Sequence, residues 1–382
     1  MIYTIFVTFA LLCLLLNPAF VFLGGKHASL LLWPLAVCWF NRSVRERFFV
    51  HSALLRIWFI LLLYVVLRTL MGGETKFLVA HSLFLVDIFI SYVIVYLAIK
   101  KKVDLIKSLL ITASIAGIIS CLCLFVPSIH EFSRNIQVIN NDFLLEVSYR
   151  GFGVGDGLTF SYGVVLGLIC ALGICNIKKY VWFLFFIPFV VVAVLVNARI
   201  GFFPIMIALI LFLGSEHKIS YFLSFFLFLC VLWLAWEVYI NKYFPEGTLE
   251  WIMDFFTQMG EGTEGATVGT LLNTTIWPDD LFEWLCGKGR DVFDPTKAVR
   301  TDIGYLIQLC YGGVLYCLLL FLFVWAIFTP AYKAIPVTYM ITLCLSIALV
   351  NYKGPFLSRS SAFLCLIMIV MYYAQIKEEN KQ

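Results

Sequence analysis

The sequence predicts an all-α, polytopic transmembrane helix bundle of about twelve crossings with a small external helical cap, and three observations predict it. The 382 residues are 62% hydrophobic and only 13% charged, with 37 phenylalanines, and the mean hydropathy is +0.98. A soluble chain carries about twice that charged fraction, so there is too little polar surface here to face water. Apolar runs recur along the whole length, and basic residues gather in alternate short connections between them.

The runs lie at about 2–23, 28–40, 50–70, 78–99, 105–126, 157–175, 180–196, 200–214, 219–240, 303–328, 334–350 and 357–375. A bilayer crossing needs about 20 residues. The first run lacks a basic leader and a small-residue cleavage site, so it is expected to be a retained helix. Arg42, Arg45 and Arg47, then Lys100, Lys101, Lys102 and Lys107, then Lys178 and Lys179, fall on one side if every run crosses, as do Lys218, Lys333, Lys377 and Lys381. Basic short loops stay in the cytoplasm, so both termini are expected inside. Residues 1–382 form one transmembrane domain on this reading. Two long segments lie outside, 127–156 and 241–302, the second with eleven Asp/Glu against five Lys/Arg.

The cap itself is patterned. Leu249, Ile252, Met253 and Phe256 recur at helical spacing after Pro245 and Thr248, which predicts an amphipathic helix on the outer surface. A second short helix is expected from Asp279 or Asp280, with Phe282, Trp284 and Leu285 facing inward. Of twelve cysteines, all but Cys286 lie in or beside apolar runs and read as packing residues. There is no zinc-type spacing, and no metal or other cofactor is expected. The net charge of +4 gives no sign of nucleic acid.

Charges inside apolar runs are costly and normally find a partner. Arg56 and Asp87 reach similar depth in the third and fourth runs, so an ion pair is expected; Arg68 and Glu237 sit near outer ends, where they can snorkel to water. Arg150 opens the glycine-rich stretch RGFGVGDGLTFSY, Arg199 lies in the connection NARIG, and Lys353 and Arg359 lie between the last two crossings. Basic residues in short external loops run against the positive-inside bias. Paired guanidinium groups could hold a diphosphate there; the alternative is snorkelling to lipid head groups. Asp302 stands at the outer start of the tenth crossing with Tyr305 one turn on, placed either as a general base for a sugar hydroxyl or as a helix cap. Arg290 and Arg300 flank it in the same segment and join Lys353, Arg359 and Tyr305 as candidate substrate-binding residues.

These segments resemble the bacterial O-antigen polymerases (Wzy-type) and, more distantly, the O-antigen ligases. The likeness is carried by Arg150–Gly163, Asn197–Gly201, Gly287–Gly289 with Thr301–Tyr305 and Gly312/Gly313, and Lys353–Phe363. It implies a GT-C-like membrane glycosyltransferase that needs no cofactor. Such an enzyme transfers a growing glycan from undecaprenyl diphosphate to a lipid-linked repeat unit outside the bacterial inner membrane. The partners implied are undecaprenyl-diphosphate-linked oligosaccharide, membrane lipids and a separate chain-length regulator. On this reading Arg150 and Arg199 are expected to hold the donor diphosphate, and Asp302 to orient or deprotonate the acceptor hydroxyl; the family likeness itself does not assign the base. Where the ligases begin a pattern with histidine, this chain has Asp302, which favours polymerase over ligase. A flippase for the same lipid-linked sugar is the alternative of another class; it would call for a polar path and pseudo-repeats between halves.

Overall fold

The computed structural model describes residues 2–39, 52–138, 149–156, 158–216, 245, 247–253, 277–292, 301, 303–329 and 334–379. Within them the regular structure is helical apart from one pair of two-residue strands. Four helices are long and apolar enough to cross a membrane: Thr75–Lys100, Leu105–Phe125, Gly304–Phe328 and Ser361–Glu379. Shorter apolar helices occupy Ile2–Leu16, Phe160–Cys175, Ile187–Asn197, Arg199–Gly214 and Val337–Lys353, and Ser52–Leu70 forms a further helix. Of the twelve apolar runs, the one at 219–240 lies outside the described residues, as does Glu237.

The first run departs from expectation. Its helix ends at Leu16, and Asn17 turns left-handed at φ 43°. A hairpin follows, with Ala19–Phe20 antiparallel to Lys26–His27. The Asn17 side chain accepts from the Ser29 N–H at 2.9 Å, so the asparagine supplies both the strained turn and a bond that closes it. Val21 N donates to Ile136 O, and Val138 N to Ala19 O, which seats the hairpin beside the helix Pro127–Asn135. That helix, with proline at its start, occupies part of the first predicted external segment.

Two helices form the centre. Gly163–Cys175 is buried on almost every residue, as is most of Ser361–Glu379, the signature of a helix enclosed by others. Small residues let the backbones approach. A Cβ on Gly167 would lie 2.0 Å from Gly201 O, and one on Gly201 would lie 2.2 Å from Gly163 O. Gly201→Ala is therefore expected to push these backbones apart at a cost of about 1–3 kcal/mol or more, read as a clear drop in the melting temperature of detergent-solubilised protein. A melting curve like the parent's would show that the seam yields.

The tenth run is not one continuous helix. Gly313 breaks it at φ 65° and ψ −168°, a conformation glycine adopts without steric cost. The carbonyls around the break are bonded from outside the helix. Lys288 N donates to Cys310 O at 2.7 Å and Gly289 N to Tyr311 O at 2.9 Å. Tyr64 Oη donates to Gly312 O at 2.6 Å. The run Gly287–Gly289 thus lies along the broken helix, where a Cβ on Gly287 would meet Tyr311 and Gly312 at 2.5 Å.

Three further expectations are corrected. Arg68 does not snorkel: it is buried and donates to Gly287 O at 2.8 Å, because the carbonyl beside the broken helix needs a donor more than the guanidinium needs water. Asp87 takes its hydrogen bond from Ser361, not an ion pair from Arg56, which is exposed; Asp87 points toward the last helix. The short helix Leu281–Cys286 starts at Asp280 as expected, capped by the Asp280 carboxylate accepting from Glu283 N at 2.8 Å. Yet Phe282, Trp284 and Leu285 are 56%, 39% and 44% exposed. Its caps and the neighbouring backbone bonds hold this helix, so those side chains are not drawn inward.

Candidate anion and glycan site

The segment 149–156 opens with Tyr149 and Arg150. Its backbone is held from several sides: Asn197 Nδ2 donates to Phe152 O at 2.8 Å, Gln137 Nε2 to Gly153 O at 3.2 Å, and Gly155 N to Gln137 Oε1 at 2.9 Å. Gly153 adopts φ 144° and passes so close to Tyr162 and Ser120 that a Cβ would lie 3.0 Å from both hydroxyl oxygens. Asn197 is fully buried, so the connection Asn197–Gly201 is pinned to this segment by its first residue.

Arg199 leaves that connection toward Trp251. Its guanidinium donates to Trp251 O and stands 4.3 Å from the indole centroid. The Arg150 guanidinium stands 5.6 Å from the same ring and 6.0 Å from that of Tyr149. Two arginines distant in sequence therefore share one aromatic ring, which offsets part of their mutual repulsion through its electron-rich face. Burial pulls the Arg150 proton affinity down, with Tyr149 opposing; the group keeps its charge. Trp251 belongs to the predicted amphipathic helix, which is helical at 248–253. That helix is not simply a surface element: Ile252 is buried with Phe152, Val196, Cys123 and Leu124.

A second cationic group forms around Asp291. This carboxylate is 1% exposed and ion-paired to Arg359, with Lys76 Nζ at 3.7 Å. The Arg359 guanidinium also lies 4.8 Å from the Phe77 ring centroid, and Phe77 stacks on Tyr311 at 3.7 Å. Arg359 is thus aimed by a buried carboxylate and an aromatic face. Close by, Phe160 stacks on Phe356 at 4.1 Å.

The remaining candidates divide. Tyr305 is 41% exposed, and its hydroxyl donates to Ala348 O at 3.0 Å. One turn on, Gln308 and Asn351 form a buried reciprocal amide pair at 2.9 and 3.1 Å, joining the broken helix to the helix Val337–Lys353. Lys353 ends that helix, half-buried, and Arg290 is exposed. Asp302 and Arg300 lie outside the described residues, as does Asp294. Asp279 pairs with Lys288 at 2.5 Å and Asp280 caps the helix Leu281–Cys286, so both carboxylates are engaged structurally. Among the described residues no group of three His, Cys, Asp or Glu could hold a metal ion.

Sequence reasoning missed Trp251, Asp291 and Lys76 as organising residues. Asp291 had only its neighbour Asp294 as a signal. Trp251 falls one place off the apolar stripe of its helix, and that displacement was the only available sign that it faces something else. Of the segments that carry the expected likeness, Arg150–Gly163 meets Asn197–Gly201 through Phe152 and Asn197, and Gly304 lies against Gly354 of Lys353–Phe363. Both pairs touch one polar cleft, lined by Asp156 from one side and Arg359 from the other. No family model matches the chain, and no curated protein or solved structure matches it either.

Proposed function

We propose that this protein is a surface-polysaccharide polymerase of the O-antigen polymerase kind, acting on polyprenyl-diphosphate-linked oligosaccharides at the outer face of the bacterial inner membrane. The observation that carries this reading is the meeting of Arg150 and Arg199 around Trp251, two half-buried guanidinium groups from segments about 50 residues apart in the chain. On this reading they grip the donor diphosphate, and charge that develops on the leaving group is met by donors already in place. Arg359 and Lys353 hold the acceptor, whose hydroxyl Asp302 and Tyr305 orient. The reading includes twelve crossings, both termini in the cytoplasm and a lateral opening for the two lipids. It has support in the contacts between loops: Lys179 pairs with Asp104 at 2.8 Å, joining two predicted cytoplasmic connections, whereas the predicted outer segments around residues 150, 199 and 251 join each other.

Full-length protein reconstituted in proteoliposomes with an undecaprenyl-diphosphate-linked repeat is expected to produce a ladder of longer lipid-linked glycans and to release undecaprenyl diphosphate. Movement of the repeat across the bilayer without elongation would replace this reading with a flippase.

A further inference from the structure

The proposed polymerase reading leaves open which group receives the acceptor's proton. The cleft between the two halves of the site answers this. Beside Leu15, Leu16 and Ala362, its lining is polar, with Asn17, Asp156 and Arg359 joined by three serines, a hydroxyl-rich wall suited to a sugar's hydroxyl groups. Its frame is fixed. Asp156 N donates to Leu16 O at 2.7 Å, which ties the end of the glycine-rich segment to the start of the hairpin. Ser361 hydrogen-bonds the buried Asp87 behind it, and Ser360 Oγ accepts from Phe363 N at 3.4 Å, capping the last helix. Arg359 enters with its charge matched by Asp291. Asp156 itself is exposed and already holds a contact within the chain, so it lines the cleft as a positioned group.

Distance fits the same assignment. Asp156 follows Arg150 by six residues, and a fully extended chain spans at most about 3.6 Å per residue. The proposed diphosphate grip and the cleft are therefore within about 22 Å along one segment.

We infer that this cleft is the acceptor-sugar subsite and that Asp156 is the catalytic base. In the step, the acceptor hydroxyl oxygen attacks the donor's anomeric carbon and forms the new glycosidic C–O bond. The bond from that carbon to the diphosphate oxygen breaks, its electron pair leaves with undecaprenyl diphosphate, and the hydroxyl proton passes to the Asp156 carboxylate. Asp302 is then an orienting residue. The inference rests on the polymerase reading, and the test separates the two. Full-length parent, Asp156→Asn and Asp156→Glu proteins are compared in the same proteoliposomes with an undecaprenyl-diphosphate-linked repeat.

Elongation by Asp156→Asn is expected to fall about 10²–10⁴-fold in kcat. Melting temperature and binding of the lipid-linked repeat should stay near the parent's, Asp156→Glu should recover part of the rate, and the acid limb of the parent's pH–rate profile should disappear in the asparagine variant. A parent protein that never elongates the repeat would overturn the polymerase reading and this inference with it. Parent-like elongation by Asp156→Asn, or a loss explained by failed folding or binding with no rescue by glutamate, would overturn the base assignment alone.

Discussion

On the proposed reading, replacing Arg199 with alanine is expected to halt chain growth and let single lipid-linked repeats accumulate. The expected loss is about 10²–10³-fold in rate, the usual effect of deleting one preplaced donor to a developing negative charge. Arg199 has two tasks on the proposed reading: it meets the diphosphate, and through Trp251 O it holds the cap helix that also carries the ring facing Arg150. Alanine removes both. Lysine keeps a charge but not the planar fork that can donate to a carbonyl and an anion together, so Arg199→Lys should retain only a small part of the activity. The measurement is a glycan ladder from reconstituted protein at matched amounts. Undiminished elongation by a well-folded Arg199→Ala protein would remove this residue from the chemistry.

Asp291→Ala has the largest expected effect on stability. The carboxylate is 1% exposed, and its partner Arg359 is 19% exposed, so deletion leaves a largely enclosed guanidinium with its main countercharge gone. Breaking such a pair costs about 3–5 kcal/mol. Lys76, which is 56% exposed, contributes little to that figure because solvent screens it. Removing both charges should be milder than removing one, so Asp291→Ala with Arg359→Met should regain part of the lost melting temperature. Equal melting temperatures for the parent and Asp291→Ala would show that other groups carry the Arg359 charge.

What was legible in the sequence follows from what each signal encodes. Apolar runs and alternating basic loops report burial and charge, so the helices at 75–100, 105–125, 304–328 and 361–379 were readable in advance. The short helix after Asp280 was readable because a cap is a local interaction. The end of the first helix was not: Val21, Phe22 and Leu23 continue the apolar run, and only Asn17 and the Gly24–Gly25 turn mark the hairpin. The break at Gly313 was visible as a glycine pair but not as a backbone docking place, because its partners lie about 25 residues earlier. The partnership of Arg359 with Asp291 was equally hidden. Hydropathy places a charge at a depth and says nothing about which neighbour comes to it, and Asp87 with Ser361 in place of Arg56 is the same lesson.

The interrupted helix also bears on how lipids could enter. The stretch before Gly313 is stitched by main-chain hydrogen bonds to Lys288 and Gly289 and, through Gln308, to Asn351. The stretch beyond it turns Leu318, Phe321 and Trp325 outward, while Tyr316 shares a buried hydrogen bond with His81 Nε2 at 3.1 Å and Leu320, Phe323 and Ile327 pack in the core. On the proposed reading, lipid tails would lie against the outward face of this far arm, while its inner face stays packed and the near arm keeps its main-chain bonds.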